Sequence, residues 1–343
     1  MTPVAQAVLA ALAFGLSPPL AKILLASVSA ILLAGLLYAG AGLFLTAVRL
    51  MRSRSPRGRP VTSRDWWILA AAITAGGVLA PPLLLWGLAR TPASQTALLL
   101  NLEVVFTALL ARVLFREHLG ARAGAASVLM ALGGISLGWR DGALDVSLPA
   151  LAVAGACALW ALDNNVTRLI ADVDAVVLAQ VKGLVAGAVN LALGLGLAHQ
   201  LPPWDSVAWS LGLGAVSYGG SLVLFIMAMR GLGAARTAAY FALAPLFGAA
   251  GGVVLLGEGI SVQLLLAAGL MAAGGGLLAG ERHAHRHRHD GETHTHRHVR
   301  DDHHQHAHEG SEGPEPHVHP HATGPLEHSH AHTPDQDHRH GHA

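Results

Sequence analysis

The sequence predicts an all-α membrane protein: ten transmembrane helices in two inverted five-helix repeats, followed by a disordered histidine-rich tail. Three observations carry this. The chain of 343 residues is 52% apolar and only 13% charged, where soluble domains carry about 25% charged residues. Its polar content is concentrated at one end: residues 281–343 hold 20 of the 22 histidines and 11 of the 21 acids, with only eight apolar residues. The greasy remainder, finally, falls into two halves that resemble each other. Together these divide the chain into a first repeat (1–138), a second repeat (139–280) and a polar tail (281–343) whose apolar content is too low to offset the entropy of ordering.

The spans follow in order. A helix needs about 20 apolar residues to cross the hydrocarbon core. Between Pro3 and Val48 the only charge is Lys22, and one helix of that length would be about 70 Å long. The chain therefore turns back near Ser27-Val28-Ser29, giving spans at about 4–24 and 29–48. Pro18-Pro19 should kink or partly unwind the end of the first. Charge and Gly/Pro punctuation then delimit spans at about 66–88, 93–113, 120–138, 148–167, 175–197, 206–228, 235–256 and 260–280. No basic residue precedes the first apolar stretch, so a cleavable signal peptide is not expected. Counting Lys and Arg in short loops places twelve on one side: Arg49, Arg52, Arg54, Arg57, Arg59, Arg64, Arg112, Arg116, Arg122, Arg168, Arg230 and Arg236. Lys22, Arg90 and Arg140 lie on the other. The positive-inside rule then puts both termini in the cytoplasm of a plasma (inner) membrane protein.

The repeat is carried by polar anchors. Phe14-Gly15-Leu16-Ser17-Pro18-Pro19-Leu20-Ala21-Lys22 aligns with Trp160-Ala161-Leu162-Asp163-Asn164-Asn165-Val166-Thr167-Arg168 at an offset of 146. Phe106…Arg116-Glu117 aligns with Phe247…Gly257-Glu258 at 141, and Thr96 meets Thr237 at that same offset. An odd number of spans per repeat inverts the second copy. Inverted repeats are the mark of secondary transporters, whose site lies near midplane between the halves.

The stretch Leu100-Asn101-Leu102-Glu103-Val104-Val105-Phe106-Thr107-Ala108-Leu109-Leu110, leading to Phe115-Arg116-Glu117, has its partner in Leu243-Ala244-Pro245-Leu246-Phe247, leading to Leu256-Gly257-Glu258. With these residues the body, about 3–280, resembles the EamA-type branch of the drug/metabolite transporter superfamily. The resemblance implies a secondary transporter, exporting a small organic metabolite or toxic compound by alternating access. The chain departs from the family pattern at Glu103-Val104, where a proline is usual, and at Leu36, where an arginine is common.

Other classes find no support. No phosphate loop is present, and Gly194-Leu195-Gly196 lacks the third glycine of a dinucleotide fingerprint. Cys157 stands alone, so no intrachain disulfide forms. A net charge of +1 gives no sign of nucleic-acid binding. An enzyme is not expected, and no cofactor is required.

Within the spans, Glu103 is the leading candidate for a proton or cation carrier, because it stands about 15 Å deep by helical rise and ionisable groups at that depth are costly. Asp163, Asn164 and Asn165 lie one turn from Arg168, and Lys182 has a depth that would let it pair with Asp163. Trp86, Trp160, Tyr218 and Tyr240 are candidates to line a cavity and stack on a solute, with Thr96 and Thr237 as repeat-related polar liners. The Trp66-Trp67 pair reads as an interfacial anchor. The glycine pairs Gly120/Gly124, Gly134/Gly138 and Gly248/Gly252 favour close helix packing, and a homodimer stays open.

The tail alternates. His283, His285, His287 and His289 are followed by His294, His296 and His298, then by His303, His304, His306 and His308. His317, His319 and His321, His328, His330 and His332, and His338, His340 and His342 complete the set. A spacing of two puts imidazoles on one side of an extended chain, and neutral imidazole ligates nickel, cobalt, zinc and copper. Expected partners are thus the lipid bilayer, a small solute and transition-metal ions. Two alternatives remain at this stage: a divalent-metal exporter fed by the tail, and a membrane metal sensor that transports nothing.

Overall fold

The computed structural model describes residues 1–51, 59–115, 120–140, 143–144, 147–198 and 200–279, together with four stretches of the tail as backbone alone. Arg52, Arg54, Arg57, Arg116 and Glu117 lie outside the described residues. Residues 1–280 and 281–343 are separate compact units.

Among the described residues of the first unit the architecture is all-helical apart from a two-residue antiparallel pair, Trp139–Arg140 with Ala143–Leu144. Seven helices are long and apolar enough to cross a membrane: α1 (Pro3–Leu24), α2 (Ala30–Met51), α3 (Ser63–Leu88), α4 (Ala93–Phe115), α7 (Ala175–Leu197), α8 (Trp204–Leu232) and α9 (Arg236–Leu256). Three more occupy the remaining expected positions: α5 (Ala121–Leu137), α6 (Leu148–Thr167) and α10 (Val262–Ala279). Their starts follow local chemistry. Thr2 and Ser147 cap α1 and α6 ahead of prolines, whose missing N–H costs nothing in the first turn. Asp174 accepts from the amides of Val176 and Val177 to cap α7, and Thr62 with Asp65 forms a capping box on α3.

The packing has the twofold pattern that the internal repeat requires. α2 lies along α7, and α5 along α10, so each pairs with its repeat mate. α1 packs on α8 as α6 packs on α3, and α4 on α6 as α9 on α1. Gly42 and Gly183 face each other where α2 crosses α7, and a Cβ on Gly183 would sit 2.9 Å from the Gly42 backbone.

Five helices are irregular, again in related places. α1 breaks at Leu16, two residues earlier than Pro18 itself, because the prolines free the carbonyls one turn back. α9 breaks at Ala242-Leu243, just before Pro245. Its mate α4 breaks at Leu100-Asn101 without a proline; there the amides of Glu103 and Val104 reach back only three residues, to Leu100 and Asn101. α3 and α8 each carry a π-helical stretch, Ile73–Leu79 and Ala215–Gly220. Wide turns and breaks of this kind leave backbone groups to be satisfied by neighbours.

At the end of the bundle carrying the Arg-rich loop, Arg59 bonds to Asp65 at the start of α3 and to Asp172 between α6 and α7. These carboxylates hold its guanidinium above its ordinary pKa. At the other end Lys22 donates to the Thr91 carbonyl.

In the tail unit the backbone of His283–His289 pairs antiparallel with Leu326–His332, and Thr293–His298 with His317–Ala322. Alternating residues take opposite faces of an extended strand, so the period that aligns imidazoles also suits a ladder. The side chains of the tail lie outside the described residues, as do His303, His304, His306, His308, His338, His340 and His342 altogether.

Candidate functional site

The irregular stretches converge on one polar node. The π-helical turn of α3 exposes the carbonyl of Gly76, which accepts from the Tyr38 hydroxyl of α2 at 2.9 Å and from the Trp160 indole of α6 at 2.8 Å. The next carbonyl, of Gly77, accepts from Asn190 of α7 at 2.9 Å. A glycine is required at position 76 because a Cβ there would lie 2.1 Å from an Asp163 carboxylate oxygen. Asp163 therefore packs directly on the π turn.

Asp163 accepts from Lys182 on α7 and, at 2.8 Å, from the Thr167 hydroxyl. Lys182 donates to that hydroxyl as well, at 2.8 Å. The carboxylate and ammonium thus neutralise each other across α6 and α7, and Thr167 completes a closed triad. Glu103 is placed differently. It opens the second half of the broken α4, where the positive end of a half-helix accommodates negative charge, and its carboxylate accepts from the Asn164 amide at 2.7 Å. No cationic partner of Glu103 occurs among the described residues. Asn165, the residue after Asn164, is buried. Its amide braces α6 against α4 through the Thr107 carbonyl at 3.1 Å.

An aromatic wall borders this node. Tyr218, inside the π turn of α8, lies with its ring centroid 5.9 Å from Phe14 and 6.0 Å from Tyr38. Phe241, at the break of α9, is 5.5 Å from Phe14 and 5.0 Å from Phe225. The structure thus brings Trp160 and Tyr218 together with Glu103, Asp163, Asn164 and Lys182. It puts others elsewhere. Trp86 lies under the Arg90 guanidinium, 4.3 Å from the ring centroid, in the arrangement of an interfacial anchor. Thr96 and Thr237 are fully buried in helix packing, and Thr237 bonds back to the Gly233 carbonyl at 2.8 Å. Tyr240 is half-buried beside Phe241, and it is Phe241 whose ring joins the wall.

Sequence reasoning missed Tyr38, Gly76 and Thr167. A tyrosine in the middle of a span rather than at its interface, and a Gly-Gly pair in mid-helix, were the available signals. It also passed over Glu258. Gly257, in the left-handed conformation at φ 66°, ends α9 and turns the chain so that Glu258 accepts from the amides of Ala93 and Ser94 at 2.6 and 2.8 Å. A glutamate of the second repeat therefore caps α4 of the first.

Comparison with known proteins identifies the family and the fold. The EamA-like transporter family matches over residues 1–138 and 147–279. An uncharacterized transporter of Methanothermobacter thermautotrophicus (strain Delta H) is 32% identical over 269 residues, covering 73% of this chain and 78% of the relative. A crystal structure at 21% identity superposes with a TM-score of 0.60, covering 80% of this chain and 95% of its own, and so shares the fold. With both halves of its helical body matched in turn, this chain, a multi-pass membrane transporter, belongs to the EamA-like transporter family.

Proposed function

We propose that the protein is a ten-span secondary transporter of the plasma (inner) membrane, with both termini cytoplasmic, that exports a small organic solute by alternating access between its two repeats. Glu103 is its coupling group. One observation carries this reading: a carboxylate without a cationic partner among the described residues stands at a helix break, bonded across to the α6 helix of the other half. Discontinuous helices at midplane are where transporters hold substrate and coupling ion. The Asp163–Lys182 pair then serves as a neutral frame, since charges buried in a membrane are paired unless they have a task. Among the described residues no three His, Cys, Asp or Glu side chains gather to hold a metal. A divalent-metal exporter, or a sensor, would rest on the tail alone.

The test is flux. In proteoliposomes under an imposed pH gradient, screened against labelled amines, amino acids and sugars, Glu103→Gln should lower gradient-driven transport at least tenfold with insertion unchanged. Unchanged flux ends the assignment.

The tail completes the proposal as a metal-binding segment for nickel, cobalt, zinc or copper. Ligation needs neutral imidazole, so zinc titrated into the full-length protein should bind at pH 7 and be lost by about pH 5, the histidine range. A protein ending at Gly280 should not show this binding. Equal affinity at both pH values rules out histidine ligands.

A further inference from the structure

The charge balance at the node bears on what the site takes. Asp163 and Lys182 cancel, and the Thr167 hydroxyl donates to the first and accepts from the second. Glu103, whose described partner is the neutral amide of Asn164, leaves the ionised site with one net negative charge. The repeat does not duplicate it, because the position related by the 141-residue offset is Ala244. An anionic solute would meet this charge, and the ammonium at the node, Lys182, is already held by Asp163.

The surrounding surface is aromatic. Trp160 stands one turn from Asn164 on the same face of α6, a rise of about 5.4 Å, and through the Gly76 carbonyl it joins Tyr38, which abuts Tyr218 and through it Phe14. These four rings lie mid-helix yet are only half-buried, and Asn164 is exposed, so the protein does not fully cover them. Ring faces attract cations, most strongly where water is excluded. A carboxylate beside such a wall satisfies a positive head and an apolar body together. A divalent metal would instead require several further oxygen or nitrogen ligands.

Resting on the transport reading of the same site, we infer that the solute is a monovalent organic cation, a protonated amine or quaternary ammonium with an apolar body, held by Glu103 against the Tyr38–Trp160–Tyr218 wall.

The experiment uses two ions of nearly equal shape and opposite charge, tetraphenylphosphonium and tetraphenylborate, with tetraethylammonium as a smaller cation. Equilibrium dialysis against the full-length protein in lipid nanodiscs should show saturable binding of at least one cation. That binding should weaken at least tenfold in Glu103→Gln and be kept in Glu103→Asp, which preserves the charge and controls for folding. Tetraphenylborate should partition equally into all three. Cation binding indifferent to Glu103→Gln, or no saturable binding of either cation, overturns the inference. Glu103-dependent flux of a zwitterion or anion overturns it too, while leaving the transport reading intact. Glu103-dependent cation binding without flux in proteoliposomes would do the reverse: the ligand class stands and the transport reading falls.

Discussion

Lys182→Met destabilises the protein by about 3–5 kcal/mol, the cost of leaving one member of a buried ion pair without the other. The double variant Asp163→Asn/Lys182→Met recovers most of that loss. Methionine keeps the length and apolar stem of lysine, so helix packing between α6 and α7 changes little and the charge is what is removed. Asp163 is then left against the Gly76 backbone with only the Thr167 hydroxyl as a donor. Only 8% exposed, it has little water to turn to. Removing both charges replaces the ion pair with two neutral groups that tolerate the same volume, and such replacements in buried pairs are close to neutral. Reversible unfolding in mixed detergent micelles measures the four members of the cycle. A coupling energy near zero would mean that Asp163 and Lys182 do not stabilise each other, and the neutral frame assigned to them would be withdrawn.

The same pair shows how far the sequence could be read. Asp163 and Lys182 were placed at similar depth from loop positions alone, because the 1.5 Å rise of a helix converts sequence distance to depth. Span positions were legible for a related reason: the cost of charge and of open backbone in hydrocarbon imposes long apolar runs with charged ends, and the seven helices long and apolar enough to cross a membrane fall within a few residues of their expected places. Irregularities were legible only where proline causes them, as in α1. The π turn of α3 lies one turn before Pro81-Pro82, which leave the carbonyls of Gly77 and Val78 without helical partners. Tyr38, Trp160 and Asn190 take up those of Gly76 and Gly77. The break of α4 and the π turn of α8 contain no proline, and no local residue pattern announces them. Trp86 and Trp160 looked alike in the sequence. Depth separates them: the first stands one turn from Arg90 at the helix end, the second inside the polar node. In the tail, period-two alternation was clear, but strand pairing is a long-range choice that alternation permits without specifying.

Glu258→Gln should open the end of the bundle that carries the α3–α4 and α9–α10 turns. Glu258 crosses between the repeats, both carboxylate oxygens accepting from the first amides of α4. Charge-assisted bonds of this kind are worth about 1.5–3 kcal/mol, and glutamine, with one accepting oxygen, keeps only part of that. Behind this contact the second half of α9, from Ala244, packs closely on the first half of α4, to Leu99. By the repeat, the first half of α9 (Ala234–Phe241) should pack on the second half of α4 (Leu102–Phe115) at the basic end. Among the described residues that pair makes no packing of comparable extent. The twofold pattern shown by the α1–α8 and α3–α6 pairs is therefore broken between α4 and α9, packed at one end and less so at the other, an asymmetry that the proposed alternating access would require. A contact that closes one end must be lost once per cycle, so weakening it favours the opposite state. A shift of about 1.4 kcal/mol changes the ratio of the two states tenfold. Spin labels at Ala89→Cys and Ile260→Cys, both exposed and placed on either side of the contact, read this directly once the single cysteine, Cys157, is replaced by serine. The distance distribution should gain a longer component in Glu258→Gln. An unchanged distribution would show that Glu258 caps α4 without governing access, and the closure would have to be sought in the apolar packing of α9 on α4 instead.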